Sequence, residues 1–166
     1  TYMWTEQYDL HSHSTNSDGE HSVELVGSLM KHNGVSDWSL TDHDTISGWK
    51  DAQKCAESLG INFIPGVEIT CERGLPPDND ELARNLRERA SKSWHLLAYF
   101  PNLKHDDEQA VDFAKWLTPL QDNRIPRMKM MIGKLCELDM PLDFSDVASK
   151  AEGSIGRPHL AEVMVE

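Results

Sequence analysis

The residues able to do chemistry in this chain are histidines and carboxylates set close together. In Tyr8-Asp9-Leu10-His11-Ser12-His13, the two histidines stand two apart, so on an extended strand both imidazoles project to one face, with Asp9 in the same register. Such a pair can hold a divalent metal, although eight histidines in one chain also produce a His-x-His by chance. Thr41-Asp42-His43-Asp44-Thr45 sets an imidazole between two carboxylates, which suits a cation and equally a solvated turn. Gly66-Val67-Glu68-Ile69-Thr70 places a lone carboxylate in an apolar stretch, where Glu68 needs a partner, either a metal ion or an arginine. His95 opens the run Leu96-Leu97-Ala98-Tyr99, His159 follows Arg157-Pro158, and Asp18 lies in the turn Ser17-Asp18-Gly19. Taken singly, these three also read as structural residues. His21, His32 and His105 fall on polar positions and carry no assigned role.

Strands and loops must bring these groups together. Tyr8 to His13 reads as a short strand, followed by turn formers from Ser14 to Gly19. Ser22 can cap a helix with Val23, Val26, Leu29 and Met30 on one face, stopped by Asn33-Gly34. Val35 to Thr41 predicts a second strand, Ser47 to Leu59 a helix ending at Gly60, and Ile61 to Thr70 a third strand interrupted at Pro65-Gly66. This β-α-β-α-β order with short connections predicts parallel strands with right-handed crossovers, in an open sheet or a barrel. The candidate ligands then fall at strand ends, where such folds build their sites.

Residues 73–93 are turn-like and then polar all round, and read as an exposed insertion. Trp94 to Phe100 predicts a fourth strand. Residues 105–151 read as mainly helical, with helices over Asp106–Leu117, Gln121–Leu138 and Phe144–Ala151. Pro158 suits the first turn of a last helix.

The 166 residues make one domain, read over residues 1–166. With 16 basic and 28 acidic residues the formal charge is −12, which disfavours a generally basic surface for duplex DNA. Cys55, Cys71 and Cys136 form neither a disulfide framework nor a zinc clip and suit a reducing, cytoplasmic compartment. No apolar run approaches the roughly 18 residues of a membrane span, so no membrane role is expected.

In order, Asp9-Leu10-His11-Ser12-His13-Ser14, Ser17-Asp18-Gly19, Thr41-Asp42-His43-Asp44, Gly66-Val67-Glu68-Ile69 and His95-Leu96-Leu97-Ala98-Tyr99 resemble the polymerase and histidinol phosphatase (PHP) superfamily, and Gly156-Arg157-Pro158-His159 extends the match. The wording is similar to the subgroup of nucleoside 3′,5′-bisphosphate phosphatases and RNA-trimming phosphoesterases. The resemblance implies a distorted (β/α)7 barrel binding up to three divalent ions. By matching motif, His11, His13 and Glu68 would hold one ion, Glu68, His95 and His159 a second, and Asp18 with His43 a third. Mn²⁺ is the first expectation, with Zn²⁺ or Fe²⁺ also compatible with mixed imidazole and carboxylate donors.

The implied function is hydrolysis of a phosphate ester on a nucleotide or at the 5′ end of a short RNA, by metal-activated hydroxide, with Asp18, His43 and Glu68 as catalytic residues. Arg124, Arg127 and Arg157 are candidates to grip the substrate phosphate. The expected partner is therefore a small phosphorylated substrate.

One family motif, an Asp-x-His on a late strand, has no counterpart: the seven residues after His159 include neither Asp nor His. The barrel is accordingly expected to be incomplete at its C-terminus, with two ion sites each short of one ligand and hydrolysis weak or absent in this chain. A non-catalytic metal-binding or partner-binding module and a histidinol-phosphate-type phosphatase are the alternatives. An amide or ring hydrolase on a similar barrel is disfavoured, because no lysine stands at a strand end to bridge metals.

Overall fold

A computed structural model of the protein describes residues 7–71 and 94–165. The first half runs β1 (Tyr8–Ser12), α1 (Val23–His32), β2 (Asp37–Leu40), α2 (Trp49–Leu59) and β3 (Asn62–Phe63). The three strands form a parallel sheet in chain order, with Tyr8 beside Asp37 and Asp37 beside Asn62. The expected β-α-β-α-β order is present. The Ser22 hydroxyl accepts from the Leu25 N–H to start α1, and Gly60 closes α2 in the left-handed conformation at φ 64°. Val23 and Val26 of α1, Trp38 and Leu40 of β2, and Ala52 and Ala56 of α2 form the core between these layers.

The strand expected over Ile61–Thr70 with an interruption at Pro65-Gly66 is two strands, divided at that point. Pro65 has no N–H to give a ladder, so β3 stops at Phe63 and β4 (Gly66–Cys71) starts beyond it. β5 (Trp94–Tyr99) then pairs with β4 antiparallel, beyond the β-α-β-α-β stretch whose parallel strands were expected. The two sheets meet at one parallel bridge between His43 and Glu68. There the Asp44 N–H donates to the Glu68 carbonyl (2.9 Å) and the Glu68 N–H to the Asp42 carbonyl (3.3 Å). Among the described residues the sheets do not close into a barrel; the five short strands are fewer than the roughly eight that enclose a filled interior.

Four helices follow: α3 (Glu108–Asp122), α4 (Arg124–Glu137), α5 (Phe144–Lys150) and α6 (Arg157–Val165). α3 continues through Pro119, where the sequence predicts a break. α4 therefore begins at Arg124 rather than Gln121, with Pro126 in the first turn, where a missing N–H costs nothing. Met128 and Ile132 of α4 pack with Val147, Ile155 and Leu160, and Leu117 of α3 packs on Val67 and Ile69 of β4. The predicted insertion at 73–93 lies outside the described residues. Among those described, no helix is long and apolar enough to cross a membrane.

Candidate metal centre

Glu68 is the hub of the site. Strand alternation sends Val67 and Ile69 into the core with Leu117 and leaves Glu68 and Thr70 on the opposite face of β4. Thr70 lies directly across from His95 on β5, which makes His95 the diagonal neighbour of Glu68. His95 Nδ1 is 2.6 Å from Glu68 Oε1. On the other side, Glu68 Oε2 lies 2.8 Å from His11 Nε2 and 3.0 Å from His13 Nε2. β1, with an irregularity in its pairing between Asp9 and Ser12, carries His11, and His13 follows one residue past the strand's end, so the strand expected over Tyr8–His13 stops at Ser12 while both imidazoles still reach Glu68. Asp9 stays outside the cluster; its Oδ1 accepts from the His11 backbone N–H.

Three groups of donors converge, each with its ligand atoms within 4.8 Å of one another: His11, His13 and Glu68; His13, Asp18 and His43; and His43, Glu68 and His95. The residues fit divalent cations on two observations. His11 Nε2 and His13 Nε2 face each other at 3.2 Å, close to the roughly 3.3 Å that two nitrogens about 2.05 Å from one tetrahedral ion would show. His43 Nδ1 is buried with no hydrogen-bond partner, 3.8 Å from Glu68 Oε2, so a donor atom of the cluster is left unsatisfied by protein.

The electrostatics keep the donors in ligand form. Burial lowers the pKa of His43 from 6.5 to about 4, helped by the charges of Arg124 and His13 and opposed by Asp18 and Glu68. Burial pushes Glu68 upward, but the His11 hydrogen bond and the charges of His43, His13 and His11 outweigh it and hold the carboxyl below its usual value.

Around this cluster lies a second set of contacts. Sequence reading offered Asp42 and Asp44 to a cation, but both carboxylates turn away from it. Asp42 accepts from the Ser14 N–H (2.7 Å), the Ser14 hydroxyl (2.7 Å) and the Ser17 hydroxyl (2.7 Å), fixing the loop that carries His13 and Asp18. Asp44 accepts from the Thr70 N–H (2.6 Å) and hydroxyl (2.7 Å) and from Arg124 Nε (2.6 Å). Ser14, Ser17 and Thr70 are the residues sequence reasoning missed. The only signal was their position inside the motifs themselves, one or two places from a ligand.

His159 is buried at the start of α6, where its Nδ1 accepts from the Gly156 N–H at 3.0 Å. It stands outside the three convergent groups, and His43 occupies the place beside Glu68 and His95 that the resemblance gave to His159. Asp18 and His43 do come together, 3.5 Å apart, with His13 as a third member. A small cavity of about 40 Å³ brings Asp18, His43 and His95 together with Arg124, Arg127 and Arg157. Arg157 is exposed there, whereas Arg124 is largely buried against Asp44.

Residues 9–150 match the family described as PHP domain. The chain belongs to that family. It is 30% identical over 169 aligned positions to a 5'-3' exoribonuclease of Haemophilus influenzae, covering 98% of this PHP chain and 52% of the relative. It is 40% identical over 162 positions to the 5'-3' exoribonuclease Rnm of Escherichia coli, covering 96% and 48%. A 3',5'-nucleoside bisphosphate phosphatase of Chromobacterium violaceum is 36% identical over 66 positions, covering 40% and 23%. Among solved structures, one described as a metal-dependent phosphoesterase from Bifidobacterium adolescentis matches with TM-score 0.69 at 27% identity, covering 95% of this chain and 49% of that one. An amidohydrolase of Chromobacterium violaceum, at TM-score 0.73 and 24% identity and covering 95% and 49%, shares the fold. The PHP chain thus spans about half the length of the curated relatives it matches.

Proposed function

We propose that this PHP chain carries the metal centre of a phosphoesterase that hydrolyses a phosphate ester of a nucleotide, either a nucleoside 3′,5′-bisphosphate or the 5′ end of a short RNA. The observation that supports this best is the sharing of Glu68 between two convergent donor groups, one with His11 and His13 and one with His43 and His95. Donor sets that share a carboxylate suit neighbouring divalent ions, which in phosphoryl transfer clamp the attacking and leaving oxygens. When bound, such ions would supply Lewis acidity toward the phosphoryl oxygens and toward a water. His11, His13, Asp18, His43, Glu68 and His95 are the proposed ligands, with His159 carried as a further one on the family resemblance. Mn²⁺ is the proposed metal, with Zn²⁺ or Fe²⁺ compatible with the same donors.

The chain's own residues do the rest. Arg127 and Arg157 line the cavity beside Asp18 and His95 and are the proposed ligands of the non-bridging oxygens of a substrate phosphate. They offset local acidity in a chain whose net charge is −12, which is why an anionic substrate is compatible with this protein. The two sheets are proposed to be part of the (β/α)7 barrel of the family, and residues 1–166 a single PHP unit. Free Cys55, Cys71 and Cys136 suit a reducing compartment, and the cytoplasm is proposed as the site of action.

The test is elemental analysis of the purified chain, paired with phosphate release from a nucleoside 3′,5′-bisphosphate and nucleotide release from a short 5′-phosphorylated RNA under added Mn²⁺. Bound metal and release that is lost in Glu68→Ala support the proposal. Bound metal with no release from either substrate would assign the chain to metal binding alone.

A further inference from the structure

Arg124 stands out because its guanidinium is engaged inside the protein on three nitrogens. Nε donates to Asp44 Oδ2 at 2.6 Å, Nη2 to the Thr70 hydroxyl at 2.9 Å, and Nη1 to the Ile155 carbonyl at 3.3 Å. Each acceptor belongs to a segment that carries part of the metal centre. Asp44 follows His43, Thr70 shares the β4 face with Glu68, and Ile155 precedes Gly156, which packs on Asp18. We propose that Arg124 is a positioning residue of the metal centre, holding the His43 loop, the Glu68 strand and the segment against Asp18 in one arrangement, and is not a ligand of the substrate phosphate.

The geometry supports this in three ways. Asp44 has no exposed side-chain surface and Arg124 only 11%, so the pair is a buried ion pair whose geometry is fixed by further hydrogen bonds. The Thr70 hydroxyl donates to Asp44 Oδ2 while accepting from Arg124 Nη2, which closes a three-membered ring of hydrogen bonds with little freedom to open for a ligand. Asp44 also sits at φ 56°, a left-handed conformation that a non-glycine residue keeps only when its surroundings over-determine it. Loss of the guanidinium would release that constraint beside His43. Contacts that orient metal ligands in this way typically change metal affinity by 10–100-fold when removed.

The inference rests on reading the centre as metal-binding, and its readout is metal affinity rather than turnover. Arg124→Gln, Arg124→Lys, Asp44→Asn, Thr70→Val and the double Arg124→Gln/Asp44→Asn variant of the 166-residue chain would be titrated with Mn²⁺ against a fluorescent chelator, with circular dichroism confirming the fold. Binding of inorganic phosphate to the metal-saturated protein would be measured alongside. Arg124→Gln and Asp44→Asn are each expected to weaken Mn²⁺ by at least about 10-fold, with the double variant no worse than the weaker single. Arg124→Lys should recover part of the loss, Thr70→Val should weaken Mn²⁺ less while folding normally, and phosphate affinity at saturating metal should stay within about twofold. Unchanged Mn²⁺ affinity with weakened phosphate binding in Arg124→Gln would overturn the proposal and return Arg124 to the substrate. Failure of the unsubstituted chain to bind Mn²⁺ would instead overturn the metal-centre reading on which it stands.

Discussion

Gly156 packs directly on Asp18: a Cβ added to the glycine would lie 2.7 Å from the Asp18 Cβ and 2.8 Å from its Oδ2. Real Cβ atoms do not approach that closely, so the carboxylate that faces His13 and His43 has its position set by the absence of a side chain on the loop before α6. Gly156→Ala is therefore expected to displace Asp18 and weaken the His13, Asp18 and His43 group while leaving Glu68, His11 and His95 in place. Calorimetric titration with Mn²⁺ should show one class of site lost or weakened by at least about 10-fold. A titration identical to that of the unsubstituted chain would show that Asp18 is not a ligand.

Glu68 offers both oxygens to the centre, Oε1 toward His95 and Oε2 toward His11 and His13. Glu68→Gln keeps the shape but removes the charge that two donor groups share. Metal content by elemental analysis is expected to fall for more than one ion, and any phosphoesterase activity to drop by at least about 100-fold, more than loss of an orienting neighbour alone costs. Loss of a single ion equivalent would mean that Glu68 does not bridge.

His43 gives the metal-free protein an acid-sensitive stability. Its imidazole titrates at about 4 when folded and near 6.5 when exposed, chiefly because of burial. Between those values the unfolded chain binds a proton that the folded chain does not, so stability is complete above about pH 6.5 and falls as pH drops toward 4. Glu68, held below its usual value when folded, pulls in the same direction at lower pH. Thermal melts in chelator should therefore show Tm falling from pH 7 to pH 5, and His43→Asn should flatten that slope. A Tm independent of pH over this range would contradict the buried neutral imidazole.

What the sequence revealed and what it concealed follow from the range of the interactions. His11 and His13 were legible because strand spacing puts both on one face, and Glu68 because a carboxylate among Val67 and Ile69 needs a partner. The direction of Asp42 and Asp44 was not legible, since residues in a loop have no periodicity and the flanking motif fits both a cation and a turn. The role of Arg124 was concealed for another reason: its partner Asp44 lies 80 positions away, and nothing local to α4 announces it. The antiparallel pairing of β5 was likewise set by register with β4, across residues whose pattern said nothing about strand direction.

Loss of the Asp42 carboxylate should be felt in stability. Asp42 is 2% exposed and accepts three hydrogen bonds from Ser14 and Ser17, two residues that are themselves buried. Burial raises its pKa against those hydrogen bonds and the His13 charge, so the carboxylate is held in place at a desolvation cost that the serines offset. Asp42→Ala would leave buried donors without an acceptor, a cost of about 2–3 kcal/mol that corresponds to a Tm lower by roughly 5–10 °C for a domain of this size. Because the loop tied by Asp42 carries His13 and Asp18, Mn²⁺ should raise the Tm of Asp42→Ala by less than it raises that of the unsubstituted chain. Equal metal-induced shifts in the two proteins would show that the Asp42 contacts hold the fold but not the ligands.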